Sequence, residues 1–131
     1  MLAARIQKPI IGRANLEVTV VASVFCYGSL MCPDIMTAVC RTEYVSEPSL
    51  LNNHKRFAVY GEQYPAAIAF VGGVLEGVIY HGVSDSALSK LDAFEGEFYQ
   101  RVGVTVVDGS AQSKVAQCYI LKSQFSAIIA P

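Results

Sequence analysis

The pattern of apolar and polar positions predicts a chain in which strands outnumber helices. The segment VTVVASVFCY, residues 18–27, is rich in β-branched and aromatic residues, which is typical of a buried strand. Residues 64–71 and 73–83 have the same character, and the Gly72-Gly73 pair between them has the chemistry of a hairpin turn. The polar pair Asn52-Asn53 divides a further apolar stretch into two short pieces. The sequence therefore predicts several short strands in the middle of the chain.

Two helices are predicted from the residues at their ends. The first opens at Pro33 and Asp34, because proline suits a first helical turn and an acid suits its positive end. The second follows Ser84, a good N-cap residue, and Gly96 ends it. Each helix has one apolar face at helical spacing, formed by Ile35, Met36, Val39 and Cys40 in the first and by Ala87, Leu88, Leu91 and Phe94 in the second.

The order of elements favours an α+β fold. A strand, a helix, several strands and a second helix are followed by a closing hairpin of residues 102–107 and 115–122. Strands and helices do not alternate regularly, so a doubly wound sheet is disfavoured and a curled, largely antiparallel sheet is favoured. The length of 131 residues suits a single domain, 1–131. We expect its core at residues 16–122 and an N-terminal extension at residues 1–15.

Composition and charge exclude several classes of function. Hydrophobic residues make up 53% and charged residues 16% of the chain, and the net charge is −1. The only basic cluster is HKR at residues 54–56, so nucleic-acid binding is not expected. The basic and then apolar start of the chain could also fit a cleavable targeting segment, but this run is too short and too polar to span a membrane. We expect a cytoplasmic protein that binds no membrane.

The four cysteines indicate neither a metal site nor a disulfide framework. Their positions, Cys26, Cys32, Cys40 and Cys118, contain no CxxC spacing. Buried thiols in a reducing compartment are the simplest interpretation. A thiol enzyme remains an alternative, in which Cys26 or Cys32 would be activated by His54 or His81.

The segment YGSL, residues 27–30, raises the first question of function. A strand that leaves through Gly28-Ser29 toward a helix can present a nest of N–H groups at residues 28–30 to a carboxylate or an oxyanion. Alternatively, the glycine avoids a steric clash at a tight strand exit. Phosphate binding is a weaker option, because the turn lacks the lysine and the glycine run of a P-loop.

The segment LDAFEGEFYQR, residues 91–101, contains a candidate acid–base residue. Glu95 falls in the last turn of the predicted helix, where the macrodipole disfavours a carboxylate by up to about 1 kcal/mol. Phe94, Phe98 and Tyr99 would desolvate this carboxylate if they fold over it, and both effects raise its pKa. A carboxyl group with a raised pKa is suited to general acid–base catalysis near neutrality. The alternative is an exposed glutamate at a helix end.

Taken in order, YGSL, the YPA at residues 64–66 and LDAFEGEFYQR resemble the motifs of the gamma-glutamylcyclotransferase-like family. They are most similar to its short branch, which includes gamma-glutamylamine cyclotransferases and plant avirulence-induced proteins. The resemblance covers residues 23–108. It implies a small mixed, mostly antiparallel β-barrel with flanking helices and a pocket beside the YGSL loop.

The resemblance also implies residue roles and a reaction. Glu95 matches the catalytic glutamate of the family, and the substrate-binding positions match Tyr27, Gly28, Ser29, Leu30, Tyr64, Pro65 and Tyr99. The family's reaction is a cyclising acyl transfer, in which the α-amine of a small γ-glutamyl substrate attacks its own side-chain carbonyl, releasing 5-oxoproline and an amine. Because the attacking group is tethered, no enzyme nucleophile, metal or cofactor is required. The sequence leaves open which amine departs and whether the chain self-associates. The alternative is a non-catalytic relative that binds a small carboxylate or a partner, for example in a stress response.

Overall fold

The computed structural model describes residues 4–7, 19–59 and 65–128. These residues form six strands, two α-helices and two short 3-10 segments. The strands are β1 (Ala4–Gln7), β2 (Thr19–Cys26), β3 (Ser46–Ala58), β4 (Pro65–Ser84), β5 (Tyr99–Asp108) and β6 (Ser113–Leu121). The helices are α1 (Pro33–Cys40) and α2 (Asp85–Glu95), and the 3-10 segments are Ser29–Met31 and Ser123–Ile128.

The strands form one sheet that closes on itself. Their order is β1-β2-β4-β3-β5-β6, and β2 also pairs with β6. This closing contact is parallel and consists of the pairs Val24↔Gln117 and Phe25↔Cys118, whereas the other pairings are antiparallel. Strands β2, β4, β3, β5 and β6 therefore form a ring, as expected for a mixed, mostly antiparallel barrel. Strand β1, which belongs to the predicted N-terminal extension, pairs with the first half of β2.

Two predicted breaks in the central strands are wrong. Strand β4 runs through Gly72-Gly73 and pairs with β3 on both sides of them, so the predicted hairpin at these glycines does not form. Strand β3 likewise runs through Asn52-Asn53, where only the register shifts. Asn53 and Gly72 have positive φ angles of 59° and 85°, and the Gly72 N–H donates a 3.1 Å hydrogen bond to Asn53 Oδ1. The turn-forming residues therefore produce a bulge between two paired strands.

Helix α2 has the predicted ends. The Ser84 hydroxyl accepts a 3.1 Å hydrogen bond from the Ala87 N–H, which caps the first turn. Gly96 adopts a positive φ of 84°, and its N–H donates to the Asp92 carbonyl at 3.2 Å. The predicted apolar face is buried at Ala87, Leu88 and Leu91, but the side chain of Phe94 is 48% exposed. The last turn of α2 therefore lies outside the apolar contact.

Helix α1 also begins where the sequence predicts. Pro33 lies in its first turn, and Arg41, with a positive φ of 63°, ends it. Met36 and Cys40 are buried, whereas Ile35 is 36% exposed. Since α1 packs against α2, both helices cover the same side of the barrel.

Alternate residues of β2 belong to two different apolar cores. Val24 and Cys26 pack with the helices, whereas Phe25 and Tyr27 pack with residues from the other strands of the ring. This alternation follows from the two-residue period of a strand. It places the end of β2 between the barrel interior and the helices. Within the described ranges, no helix combines the length and the apolar character needed to cross a membrane.

Candidate functional site

A cavity of about 220 Å³ lies where the end of β2 meets the end of α2. Of the predicted catalytic and substrate-binding residues, those in its lining are Tyr27, Gly28, Ser29, Leu30, Pro65 and Glu95. Tyr99 is buried and does not belong to the lining; its hydroxyl donates a 3.1 Å hydrogen bond to the Pro65 carbonyl. Tyr64 lies outside the described residues. The fold thus brings the YGSL segment and Glu95 together around one cavity.

Residues 27–30, which we call the glycine loop, turn from β2 toward α1 through a single 3-10 turn. The Met31 N–H donates to the Gly28 carbonyl at 2.9 Å, and the Cys32 N–H donates to the Ser29 carbonyl at 3.1 Å. The first N–H groups of a helical turn have no acceptor within it. The N–H groups at residues 28–30 therefore suit an anionic ligand in the cavity.

Crowding by the described part of the chain does not explain the glycine in this loop. A Cβ atom at Gly28 would lie 3.6 Å from Pro65 Cδ, which is an ordinary van der Waals distance. The φ angle of Gly28 is −122°, whereas its ψ of −138° lies outside the α and β regions that residues with a side chain prefer. Packing therefore does not require glycine at this position, and the alternative of a glycine needed by a tight strand exit stands beside that of an anion-binding nest.

The hydroxyl group of Tyr27 is fully engaged by the protein backbone. It donates a 2.6 Å hydrogen bond to the Tyr119 carbonyl and accepts a 3.1 Å hydrogen bond from the Ala67 N–H. Burial raises the pKa of Tyr27 well above its ordinary value. Tyr27 consequently offers the cavity its ring, while its hydroxyl joins the ends of three strand segments.

Glu95 is the last residue of α2 and lies in the cavity lining. Burial raises the pKa of its carboxyl group from the ordinary 4.5 to about 7. This is the direction that the sequence predicted. Of the three predicted aromatic neighbours, only Phe94 also lines the cavity, whereas the Phe98 ring packs edge-on against Phe125 with a centroid distance of 4.8 Å. Glu95 can therefore both accept and donate a proton near neutral pH.

A polar cluster ties the last turn of α2 to the closing hairpin. Arg101 donates from Nε to Asp92 Oδ1 at 2.8 Å and from Nη2 to Asp92 Oδ2 at 3.2 Å. The hydroxyl of Tyr119 donates to Asp92 Oδ1 at 2.6 Å. These bonds lower the pKa of Asp92, with the hydrogen bond from Arg101 as the main cause. Asp92 is therefore a carboxylate at neutral pH.

The sequence did not identify four residues of the cavity lining as part of a pocket. They are Phe25, Cys26, Phe94 and Tyr119. Phe25, Cys26 and Tyr119 belong to strands β2 and β6, where alternation indicates which face a side chain occupies but not which end of the barrel opens into a cavity. Asp92 and Arg101 fall within the quoted segment 91–101, and their spacing in sequence gave no signal that they pair.

The burial of Cys26 weighs against the version of the thiol-enzyme alternative that uses this cysteine. Burial is the main cause that raises the pKa of this thiol well above its ordinary value, and Cys118 and Glu95 raise it further. The reactive thiolate form is therefore disfavoured. The prediction of buried thiols is confirmed for Cys26, Cys40 and Cys118 and wrong for Cys32, which is exposed.

The two histidines contact other groups. Nε2 of His81 lies 2.7 Å from Glu47 Oε2, and Nδ1 of His54 lies 3.0 Å from the Asn52 carbonyl oxygen. Among the residues that the structure describes, no three His, Cys, Asp or Glu side chains are grouped so that they could hold a metal ion.

Comparison with known proteins places this chain in a family. The family described as "Gamma-glutamyl cyclotransferase, AIG2-like" matches residues 24–129. This match extends beyond the 23–108 range of the sequence motifs. "Protein AIG2 C" from Arabidopsis thaliana is 34% identical over 95 residues, which cover 71% of this chain and 58% of that protein. The chain therefore spans less than two thirds of the length of this curated relative.

Solved structures share the fold. A solution structure of an Arabidopsis thaliana protein matches with a TM-score of 0.73 and 26% identity, covering 83% of this chain and 74% of that chain. A solved "Gamma-glutamyl cyclotransferase" matches with a TM-score of 0.65 and 17% identity, covering 76% of this chain and 66% of that chain. The second likeness concerns the fold alone. With the family match over most of its length, this chain belongs to the AIG2-like gamma-glutamyl cyclotransferase family.

Proposed function

We propose that this protein is a γ-glutamyl cyclotransferase that converts a small γ-glutamyl amine or γ-glutamyl amino acid into 5-oxoproline and a free amine. One observation carries the proposal: Glu95, with a pKa of about 7, lines the same cavity as the glycine loop. Family membership supports it independently, because the matching family is described as gamma-glutamyl cyclotransferase.

In the proposed reaction, the substrate supplies its own nucleophile. Its α-amino nitrogen attacks the γ-carbonyl carbon, and the new C–N bond closes the five-membered ring of 5-oxoproline. The original amide C–N bond then breaks and the amine leaves. Since the two reacting groups belong to one molecule, the protein has to fold the glutamyl chain into the reactive conformation and move one proton.

Glu95 moves that proton. As a carboxylate it accepts a proton from the attacking nitrogen, and as the resulting acid it donates a proton to the departing nitrogen. The protonation state of the enzyme is thereby restored at the end of each turnover. A pKa of about 7 favours this role, because both forms of the carboxyl group are then accessible near neutral pH.

The glycine loop binds negative charge. We assign to the N–H groups of Gly28, Ser29 and Leu30 the task of binding the glutamyl α-carboxylate or the oxyanion that develops on the γ-carbonyl oxygen. The ring of Tyr27 and the Pro65 side chain form apolar walls beside them. Such walls strengthen the hydrogen bonds by keeping water away.

The two remaining predicted substrate-binding residues have different positions in this proposal. Tyr99 acts from behind the cavity wall, because its hydroxyl holds the carbonyl group of Pro65. Tyr64 directly precedes Pro65, and we keep it as a proposed substrate contact.

The four cysteines are all unpaired, which supports a reducing compartment such as the cytoplasm.

An assay for 5-oxoproline tests the proposal. The full chain is incubated with γ-glutamyl-lysine, a set of γ-glutamyl amino acids and glutathione, beside a Glu95→Gln control. Release of 5-oxoproline by the wild type and its loss in the control are the expected results. If no substrate is turned over while 5-oxoproline still binds in a titration, the protein is a carboxylate-binding relative and the proposed activity is wrong.

A further inference from the structure

Asp92 lies one helical turn before Glu95 on α2, and both of its carboxylate oxygens are bound by residues of the closing hairpin. Arg101, on β5, holds Oδ1 at 2.8 Å and Oδ2 at 3.2 Å. Tyr119, on β6, donates to Oδ1 at 2.6 Å, and Arg101 also donates to Gln117 Oε1 at 3.0 Å. One side chain of α2 is thus joined to two strands of the barrel.

Apolar packing does not hold the last turn of α2. The buried residues of this helix, Ala87, Leu88 and Leu91, all precede Asp92. In the turn that follows, Ala93 is exposed and the Phe94 side chain is 48% exposed. The hydrogen bonds of Asp92 are therefore a direct polar link between this turn and the rest of the protein.

A helix by itself does not favour a carboxylate at the position of Asp92. The last turn of α2 contains no basic residue, and carboxylates at a helix C-terminus are disfavoured by the macrodipole. Arg101 compensates this cost from another element through a two-point contact, which fixes the orientation as well as the position of Asp92. An exposed ion pair contributes little to the free energy of unfolding. We therefore expect the contact between Arg101 and Asp92 to act mainly by fixing the position of this helix turn.

We infer that Asp92 is a positioning residue which, through Arg101 and Tyr119, holds the last turn of α2 so that Glu95 stays buried in the cavity beside the glycine loop. The structural part of this inference concerns Glu95 itself and does not depend on the reaction. Its consequence for turnover rests on the proposed function.

The pKa of Glu95 reports how deeply its carboxyl group is buried, because the neighbouring titratable groups carry no charge at neutral pH. Among the described residues, the titratable groups whose pKa values Glu95 raises are Cys26 at the end of β2, Tyr27 in the glycine loop, and Cys118 and Tyr119 on β6. The pKa of each of these groups is raised, so all four are neutral at neutral pH. Burial is then the cause that sets the pKa of Glu95, and a turn that moves toward solvent lowers this pKa.

Two variants of the cluster separate positioning from charge. Tyr119→Phe removes one hydrogen bond to Asp92 without changing any charge. Arg101→Gln removes a cation, which by charge alone would raise the pKa of a nearby carboxyl group, whereas a loosened helix turn would lower it. The carboxyl carbon of Glu95 is followed by NMR during a pH titration of the full chain without substrate, and Glu95→Gln identifies its signal.

We expect the titration midpoint of Glu95 to fall from about 7 toward 4.5 in both variants. With a γ-glutamyl substrate, kcat should fall roughly tenfold and KM should change less, because misplacement of a catalytic group affects mainly the chemical step. Asp34→Asn removes an exposed carboxylate from the first turn of α1 and should leave the midpoint unchanged.

A midpoint that stays at its wild-type value or rises in folded variants overturns the inference, even if thermal stability falls. Circular dichroism establishes that the variants are folded. If Arg101→Gln does not fold, Asp92→Asn, which keeps the size of the side chain, replaces it in the titration. If the midpoint falls but the wild type releases no 5-oxoproline, the positioning role stands and the proposed function fails.

Discussion

The hydroxyl of Tyr27 donates a 2.6 Å hydrogen bond to the backbone carbonyl of Tyr119, and thereby joins the glycine loop to the last strand of the barrel. The same hydroxyl accepts a hydrogen bond from the Ala67 N–H. Three segments that are distant in sequence thus meet at one oxygen atom beside the cavity. The contact is buried, so its loss leaves two backbone groups without a partner.

Tyr27→Phe should therefore destabilise the protein. An unsatisfied buried polar group costs about 1–3 kcal/mol, so we expect the free energy of unfolding to fall by about 2–4 kcal/mol in a urea titration. Since the ring remains, turnover per folded molecule should change little compared with that of Glu95→Gln. Unchanged stability would show that water or a shifted backbone satisfies these groups.

Glu95→Gln and Ser29→Ala should lower kcat to very different extents in the 5-oxoproline assay. The amide cannot exchange a proton, so Glu95→Gln should reduce kcat by at least about 10²-fold while the fold is kept. Ser29 contributes its N–H to the proposed site, so removing its hydroxyl should reduce kcat by no more than roughly threefold. Equal losses in the two variants would assign a chemical role to the serine side chain.

The rate should depend on pH through the carboxyl group of Glu95. To accept the proton of the attacking amine, this group must be ionised, and its pKa is about 7. We expect kcat/KM to rise with pH and to level off above about pH 7 on its acidic limb. A profile that is already flat from about pH 5 upward would mean that a carboxyl group with an ordinary pKa accepts the proton.

Stability should depend on pH in the reverse direction. The pKa of Glu95 is about 7 in the folded protein and near 4.5 when the group is unperturbed, so between these values the folded state binds more protons than the unfolded state. Stability from this group is complete below pH 4.5 and is lost as the pH rises to about 7, by on the order of 2–3 kcal/mol. Urea titrations at several pH values measure this loss, which should be absent in Glu95→Gln.

Gly77→Ala should disturb the strand that supports the cavity. An added Cβ would overlap the carbonyl oxygen of Cys26 and would lie 2.7 Å from Cζ of Phe25. Relief of this overlap requires β2 and β4 to move apart, and overpacking of this kind costs about 1–3 kcal/mol. Gly109→Ala is the matched control, since its added Cβ has no atom of the described residues within 4 Å, apart from its chain neighbours. Thermal unfolding of both variants tests this, and equal midpoints would contradict it.

The sequence predicted correctly the ends of elements that begin at a capping residue or end at a glycine. Ser84 and Gly96 delimit α2 in the structure as they do in the sequence, because a cap bond and a positive φ are local requirements. Gly72 and Asn53 also adopt positive φ angles, but the strands continue past them. A residue that permits a turn therefore does not reveal whether the chain reverses there to form a hairpin or continues as one strand beside the same partner.

The candidate site was predictable to the extent that it lies in loops and at a helix end. The glycine loop ends a strand with Gly28-Ser29, and Glu95 is a carboxylate at a helix C-terminus, where the macrodipole disfavours it. Tyr119 has no such mark, since an aromatic residue in a strand is expected in any barrel. Its place in the cavity depends on the closure of the ring, which is a property of the whole chain.

That closure has a consequence for the order in which the molecule is assembled. Strand β2 meets β6 through only two residue pairs, and one of the residues involved, Phe25, also lines the cavity. Pairing between segments so far apart in the chain is slow, because the entropy of closing a long loop is lost before the contacts form. A nascent chain can fold the β3–β4 hairpin and α2 early, but it has no pocket until its last strand has been synthesised and has docked. The protein therefore gains its cavity in the same step that completes its barrel.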